Sequence, residues 1–499
     1  MNALLFIDPV GKSARRRNPS GRSDILPPFA PRPYVNVRLD SCAVCVSIFT
    51  ESRLSGQDRT EPSADGVPIR SLQLQNEILV LDISASPPHI DPYAQSSSAG
   101  APPLPSNADA TGCSVYAEVD LSAMRHNVRA LRKRVAPAKL MAVVKADAYG
   151  HGAARLAPVL QNEGVEAFAV ARPREGVELR ESGITGRILV LGAPLPGDLT
   201  NCERHELDVT VSSRDVADRI VDAAPGARLH VHLKVDTGMS RLGLAPDQVP
   251  ETVDRLRQTP GVTIEGLWTH FATADDPGHA LTETQRTRFE TLRRDLGLPL
   301  SFHTDNTGAL LTDSGTLAHS SASDAPTYIR TGIALYGLAP TQTLIEADAE
   351  ITLRPALTLR ARVTHVRTIE AGTSVSYGAT WTADRPTRLA TLGAGYGDGY
   401  PRLLSGRARV RIGGELRPVV GTICMDMCMV DLGPPDGPLA RRIEVGDAAT
   451  LFGPGGPTAY DIARWAETIP YEICCNLSRR VPRAYVDVET SNETIVGRG

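Results

Sequence analysis

The chain has 499 residues, enough for two or three domains and a large buried core. Its 53 basic and 57 acidic residues leave a formal charge of −4, which gives no basic footprint for nucleic acid and no polybasic patch for a membrane surface. No apolar run approaches the about 18 residues that a membrane-spanning helix needs, and eight cysteines in this length do not make a disulfide framework.

Residues 1–112 read as an N-terminal extension. Positions 1–110 hold 14 of the 38 prolines and 15 serines, in clusters such as Ser86-Pro87-Pro88 and Pro102-Pro103-Leu104-Pro105. That composition predicts disorder or a loosely ordered arm, with 78–81 as its one strand candidate. The start is apolar before it is basic, the reverse of a secretory signal. Cys42 and Cys45 form a lone CxxC with no second pair, which carries no zinc or redox assignment. A misplaced start codon accounts for the segment as well as a real extension does.

From about 140 to 338 the chain alternates short apolar runs with amphipathic stretches. The predicted strands are 140–144, 167–171, 187–191, 207–211, 229–235, 263–269, 301–303 and 328–335. Helix-like stretches lie between them at 155–163, 175–181, 215–223, 247–257 and 283–296. Eight such units in this length predict a (β/α)8 barrel, placed within 113–345. An open doubly wound sheet fits less well, since no GxGxxG opens the first unit. After Gly337 the pattern turns to strands at 353–367, 388–394, 407–412, 417–420, 427–432 and 449–452, separated by Gly-rich turns. These predict a mainly β C-terminal domain over 346–499. The stretch 115–119 also reads as a strand that joins this domain.

Only five of the 53 basic residues are lysine: Lys12, Lys133, Lys139, Lys145 and Lys234. Arginine serves wherever only positive charge matters, but it cannot lose its proton at neutral pH. A lysine kept in such a chain therefore points to a need for an amine. Active sites of (β/α)8 barrels lie where strands end. Lys145 closes the first predicted strand and Lys234 lies on the fifth. His270 follows the sixth, His303 and Asn306 the seventh, and Arg330 lies on the eighth.

Around these positions run several spaced blocks. They include Val144-Lys145-Ala146-Asp147-Ala148-Tyr149-Gly150-His151-Gly152, Lys234-Val235-Asp236-Thr237-Gly238-Met239 and Thr269-His270-Phe271-Ala272. Further along are Ile333-Ala334-Leu335-Tyr336-Gly337, Val375-Ser376-Tyr377-Gly378, Gly395-Tyr396-Gly397-Asp398-Gly399, Cys424-Met425-Asp426-Met427 and Arg480-Val481-Pro482-Arg483. In this order, over roughly 114–488, the chain resembles the alanine racemase family, enzymes built from a barrel and a β domain.

The resemblance implies pyridoxal 5'-phosphate as cofactor and interconversion of L- and D-alanine by two bases. It assigns Lys145 as the cofactor-holding amine and first acid–base group, and Tyr377 as the second. Tyr377 comes from the partner subunit in the family, which implies a homodimer with shared sites. Arg330 matches the residue facing the cofactor's ring nitrogen. His270 belongs to the hydrogen-bond chain from Arg330 toward Tyr377. Cofactor contacts carry over to Tyr149, Asn306, Thr307, Gly332, Ile333 and Tyr471, the phosphate falling to Tyr149, Thr307, Gly332, Ile333 and Tyr471. Arg241 and the Met425 backbone match the holders of the substrate carboxylate. Lys234 matches a lysine that is carbamylated in much of the family. Tyr396 and Asp426 match positions near the substrate's path. No metal is implied. The resemblance also implies a bacterial, cytoplasmic enzyme that supplies D-alanine for peptidoglycan.

Three positions depart from the family pattern. Asp305 stands where a small residue is usual, and nothing in the sequence accounts for it. Thr331 replaces a common proline and Thr422 a common arginine. Rival readings are a metal-dependent hydrolase using His230, His232 and Lys234 with His270 and His303, a non-catalytic cofactor carrier, and a decarboxylase. A serine-preferring or broad-specificity racemase is the alternative closest to the main reading.

Overall fold

The computed structural model describes residues 112–487 apart from 224–227, 313–324 and 348–350, and before them the backbone of five strands between Val35 and Val80. Eight parallel strands form the barrel: Lys139–Val143, Ala167–Val170, Arg187–Val190, Asp208–Val211, Leu229–Lys234, Val262–Trp268, Ser301–His303 and Tyr328–Thr331. The eighth pairs with the first, and a bridge from Phe302 to Thr327 joins the seventh to the foot of the eighth and closes the ring. Strands such as Ala167–Val170 and Asp208–Val211 are buried at every position, as expected of a parallel sheet covered on both faces. Helices Ala153–Asn162, Pro173–Glu181, Arg214–Ala223, Val249–Arg257 and Ala280–Leu296 fall on the five predicted stretches.

Two differences have clear physical causes. The eighth strand ends at Thr331 rather than 335, because Gly332 leaves the extended region (φ −105, ψ −96) and starts a tight helical turn over Ile333–Tyr336. The first strand of the β domain begins at Leu357 rather than 353, just past Pro355, which has no N–H to give a ladder. A helix absent from the sequence reading, Leu121–Val135, precedes the barrel. Asp120 caps it by accepting from the Ser122 and Ala123 N–H groups, and Met124, Val128, Leu131 and Val135 form its buried stripe.

In the β domain, Leu357–Ile369, Thr387–Leu392, Cys428–Asp431, Glu415–Val420, Arg409–Ile412 and Ala448–Phe452 form a closed ring of antiparallel pairs. Val115–Asp120 joins it, pairing antiparallel with Leu357–Ile369, as the sequence suggested. A strand that the sequence reading did not contain, Arg483–Val486, adds in parallel to Val115–Asp120. The chain thus enters and leaves through neighbouring strands, and this locks the β domain onto both ends of the barrel's sequence.

Residues 1–95 form a unit of their own. Val35–Asp40 pairs with Ala43–Ile48, and Pro68–Leu74 pairs with Arg59–Pro62 and Glu77–Val80, all antiparallel. The 78–81 candidate overlaps Glu77–Val80. The Cys42 and Cys45 side chains and the Ser- and Pro-rich clusters lie outside the described residues. Among the described residues, no helix is long and apolar enough to cross a membrane.

Candidate active site

Lys145 follows the first barrel strand and opens a turn of unusual hand. Ala146, Asp147, Ala148 and Tyr149 all have φ between 52 and 54, and Gly150 follows at φ 80. Left-handed backbone costs non-glycine residues about 1–2 kcal/mol each, so the turn persists only because its surroundings hold it. Inside it, Gly150 N–H donates to Ala146 O and Gly152 N–H to Asp147 O. From outside, Glu175 accepts from Ala146 N–H at 2.7 Å, while Arg483 Nε donates to Gly150 O and the Tyr485 hydroxyl to His151 O. The last two come from the terminal strand of the β domain, which therefore helps to set where the Lys145 amine points. Burial lowers the Lys145 pKa, and the nearby Arg241 and Arg330 charges add to the shift.

Lys234 ends the fifth strand, almost fully buried, with its ammonium 4.1 Å from the Trp268 ring centre. Burial, then the charges of Arg330 and Arg241, lower it to about 7. Arg330 is buried on the eighth strand, also over Trp268 at 4.8 Å. Its Nη1 donates to His303 O at 2.5 Å and to His303 Nδ1 at 3.0 Å, and its Nη2 to Thr269 O at 2.7 Å, Thr304 O at 2.9 Å and His270 Nδ1 at 3.3 Å. Burial brings Arg330 down to about 9, and Asp305 opposes that shift, so the guanidinium stays charged at neutral pH. Burial and the Arg330 charge hold His270 well below the usual histidine range, so its imidazole is neutral. Asp305 now has a place. It is 5% exposed, accepts from the Thr304 hydroxyl, and gives its backbone carbonyl to Arg330 N–H. Its carboxylate offsets the charge of a buried guanidinium.

On the same mouth, Gly332, Thr307, Tyr149 and Tyr471 come together. Gly332 N–H donates to Thr307 Oγ1 at 3.1 Å, and a Cβ on Gly332 would lie 2.4 Å from the Tyr149 hydroxyl oxygen. The Tyr149 ring lies 6.0 Å from that of Tyr471. Only glycine permits this close approach of backbone to phenol. Ile333 is fully buried behind it. Asn306 spends its amide locally, accepting from Ala309 N–H and donating to Phe271 O. Arg241 is exposed on the loop after the fifth strand, near enough to Lys145, Lys234 and His270 to depress all three.

Tyr377 and Met425 lie elsewhere, on the rim of the β domain, 72% and 52% exposed. Thr422 donates its hydroxyl to Tyr377 O, and Ser376 donates to Thr422 O, which steadies the Tyr377 turn. Met425 O accepts from Gly397 N–H and from Arg480, which also grips Asp398 and Asp426. Among the described residues, no hydrogen bond, ion pair or ring contact joins Tyr377 or Met425 to Lys145, Arg330 or Gly332. Thr331 is fully buried with a hydroxyl that lacks a partner among the described residues.

The family models for the alanine racemase N-terminal and C-terminal domains match residues 119–340 and 356–485. The chain belongs to the alanine racemase family. It is 39% identical to the alanine racemase of Desulforamulus reducens over 74% of this chain and 99% of that protein, and 42% identical to that of Symbiobacterium thermophilum over 74% and 96%. The solved alanine racemase of Clostridium difficile 630 superposes with a TM-score of 0.69 at 34% identity, covering 75% of this chain and 96% of that one. The matched region begins at 119, within the strand Val115–Asp120, so it leaves out the N-terminal unit.

Sequence reasoning treated His230, His232 and His303 as members of a rival metal site. Instead, half-exposed His230 pairs with Glu265, while fully buried His232 bonds to Asp208 and His303. Among the described residues, no three His, Cys, Asp or Glu side chains converge as metal ligands. Asp208 and the Arg187 that pairs with it were not singled out. Their signal was a lone acid and a lone base, each at the start of an apolar strand.

Proposed function

We propose that the protein interconverts L-alanine and D-alanine with pyridoxal 5'-phosphate bound at the barrel mouth. The single observation that carries this reading is the constellation of half-buried Lys145, buried Arg330 and the buried Gly332–Tyr149 cradle, in a chain of this family. The residues suit that cofactor. A desolvated amine with a lowered pKa can condense with an aldehyde. The Gly332 N–H and the Thr307 and Tyr149 hydroxyls lie together at the turn that opens Ile333–Tyr336, a set of donors suited to an anion. When bound, pyridoxal phosphate supplies an electron sink that acidifies the substrate's Cα–H.

The chain's own residues do the rest. Lys145 Nζ moves a proton on one face of Cα, and racemisation demands a second acid–base group on the other. Tyr377 fills that role. Its exposure on the β-domain rim favours delivery by a second copy of the chain, and so a homodimer with shared sites. Arg330, donor-only and still charged, would hold the cofactor's ring nitrogen by donating to it, and an unprotonated nitrogen there would favour reprotonation of Cα over side reactions. His270, neutral, accepts from Arg330 and leaves its other nitrogen to continue toward Tyr377. Tyr149, Thr307, Gly332, Ile333 and Tyr471 hold the phosphate. Asn306 fixes the turn that presents Thr307. Arg241 and the Met425 backbone hold the substrate carboxylate.

Lys234 is proposed as a carbamate. At about 7 a large share of its amine is neutral near neutral pH, and an anion at that position would relieve the repulsion from Arg241 and Arg330. The product D-alanine then serves peptidoglycan synthesis in a bacterial cytoplasm.

The test is incubation of the purified protein and pyridoxal phosphate with L-alanine in heavy water, followed by chiral analysis and proton NMR. D-Alanine with loss of the Cα proton signal is the expected result. Turnover of serine in place of alanine would move the reading to a serine racemase.

A further inference from the structure

A chain of hydrogen bonds runs through the barrel core from the strands' first residues to their last. Arg187 and Asp208, at the starts of the third and fourth strands, form an ion pair at 2.8 Å. Asp208 Oδ2 lies 3.2 Å from His232 Nε2, His232 Nδ1 lies 3.0 Å from His303 Nε2, and His303 Nδ1 lies 3.0 Å from Arg330 Nη1. Both imidazoles are fully buried, and Trp268 stacks on His303 at 5.5 Å.

A donor-only arginine lies beside an imidazole nitrogen at each end, so the direction follows from which contact is closer and from the carboxylate at the Asp208 end. Arginine only donates and a carboxylate only accepts. Arg330 therefore needs a bare Nδ1 on His303, so His303 carries its proton on Nε2. That proton needs a bare Nδ1 on His232, so His232 also carries its proton on Nε2 and gives it to Asp208. Arg187 Nη1 lies 3.2 Å from the same His232 nitrogen, but its stronger partner is Asp208. The opposite direction would bring two N–H groups face to face at Arg330, at 3.0 Å, and set a bare His232 Nε2 against the Asp208 carboxylate; the direction taken leaves one such contact, Arg187 with His232 at the longer 3.2 Å. The fold makes room for this arrangement. The register between the fifth and sixth strands shifts at Val231/His232, and a Cβ on Gly266 would lie 2.3 Å from His232 Nδ1.

We propose that Asp208 and His232 are positioning residues that hold His303 as the neutral Nε2–H tautomer, so that its Nδ1 fixes the Arg330 guanidinium at the barrel mouth. This rests on the racemase reading for its kinetic consequence but not for its tautomer. A carboxylate at the far end makes each imidazole a better acceptor at the near end, as carboxylate–histidine pairs do behind metal ligands. Arg330 is then held from the core side by a histidine whose state is set two residues away.

The test uses the full-length protein with histidine labelled at both ring nitrogens. In the unaltered protein, nitrogen NMR should show His303 and His232 as neutral Nε2–H tautomers. His232→Leu should leave His303 as a mixture of tautomers and lower kcat for alanine about 10-fold with KM within about twofold, the lower end of the loss usual for outer-shell partners. His232→Gln offers an acceptor to His303 and a donor to Asp208, and should restore both readouts in large part. Asp208→Asn, which keeps the shape at the far end, serves if the leucine variant does not fold, and should move kcat in the same direction. The proposal is overturned if His303 in the unaltered protein is the Nδ1–H tautomer or charged. It is also overturned if removing His232 leaves kcat unchanged, or if glutamine does no better than leucine. Absence of alanine turnover in a protein with the expected tautomers would instead count against the racemase reading alone.

Discussion

The barrel mouth and the rim of the β domain make opposite use of the same chain. At the mouth, Lys145, Lys234, His270 and Arg330 lie in a desolvated cluster whose pKa values all fall. At the rim, Tyr377, Tyr396 and Met425 are large, partly apolar and exposed. Burial tunes the first group, while the second has the look of a surface completed by something else. On the reading proposed above, one half of the chemistry is set by the fold of a single chain, and the other half is set by assembly.

The largest effect should come from the mouth. On the proposed reading Lys145→Ala removes the cofactor-holding amine and one acid–base group together, and should lower racemisation by at least about 10⁴-fold with loss of bound-cofactor absorbance. Normal turnover would overturn the site assignment. Tyr377→Phe should cost about 10²–10⁴-fold in racemisation. In heavy water, the enantiomer served by Lys145 should still exchange its Cα proton without inverting, and the other should not. Equal, mild effects on both would contradict a two-base division between mouth and rim.

How much of this was legible in the sequence differs between the two regions. The barrel strands were readable because each is a short, mainly apolar run bounded by helix-like stretches, and all eight lie within two residues of expectation except at the end of the eighth. The β domain's ring was equally readable from its Gly-rich turns. Arg483–Val486 was not, since a four-residue strand that pairs in parallel with Val115–Asp120 has no local turn to announce it. Lys145 stood in a quoted motif and Arg330 and Gly332 followed from the family resemblance, but Asp305 gained a role only when its carboxylate was found buried beside Arg330. Asp208 and His232 are 24 positions apart and on adjacent strands, so no spacing rule links them. Alternation grouped His232 with His230, while the structure pairs them with different acids.

Smaller effects sharpen the contrast at the mouth. Gly150→Ala would require φ +80 and place a Cβ 2.2 Å from Cys474 O, on the helix of the β domain that packs against the Lys145 turn. A loss of about 1–3 kcal/mol in stability is expected, read as a lowered Tm. A Tm unchanged by this substitution would show that the turn does not depend on that contact. The mildest test concerns Lys234. A carbamate forms only on the neutral amine, whose share falls as pH drops through about 7. Protein equilibrated with ¹³C-bicarbonate should show a carbamate carbon at about pH 8 and lose it at about pH 6. A signal independent of pH, or absent at both, would remove the modification from this account.

The division of the site between mouth and rim is tested most directly by mixing two inactive variants. Lys145→Ala and Tyr377→Phe chains, each nearly inactive alone, are combined and allowed to exchange subunits. If each site takes its lysine from one chain and its tyrosine from the other, hybrids contain one intact site. Activity should then return to roughly one quarter of the unaltered level for random exchange in a dimer. Hybrids that form but recover no activity would mean that each chain completes its own site, and the proposed sharing would be wrong.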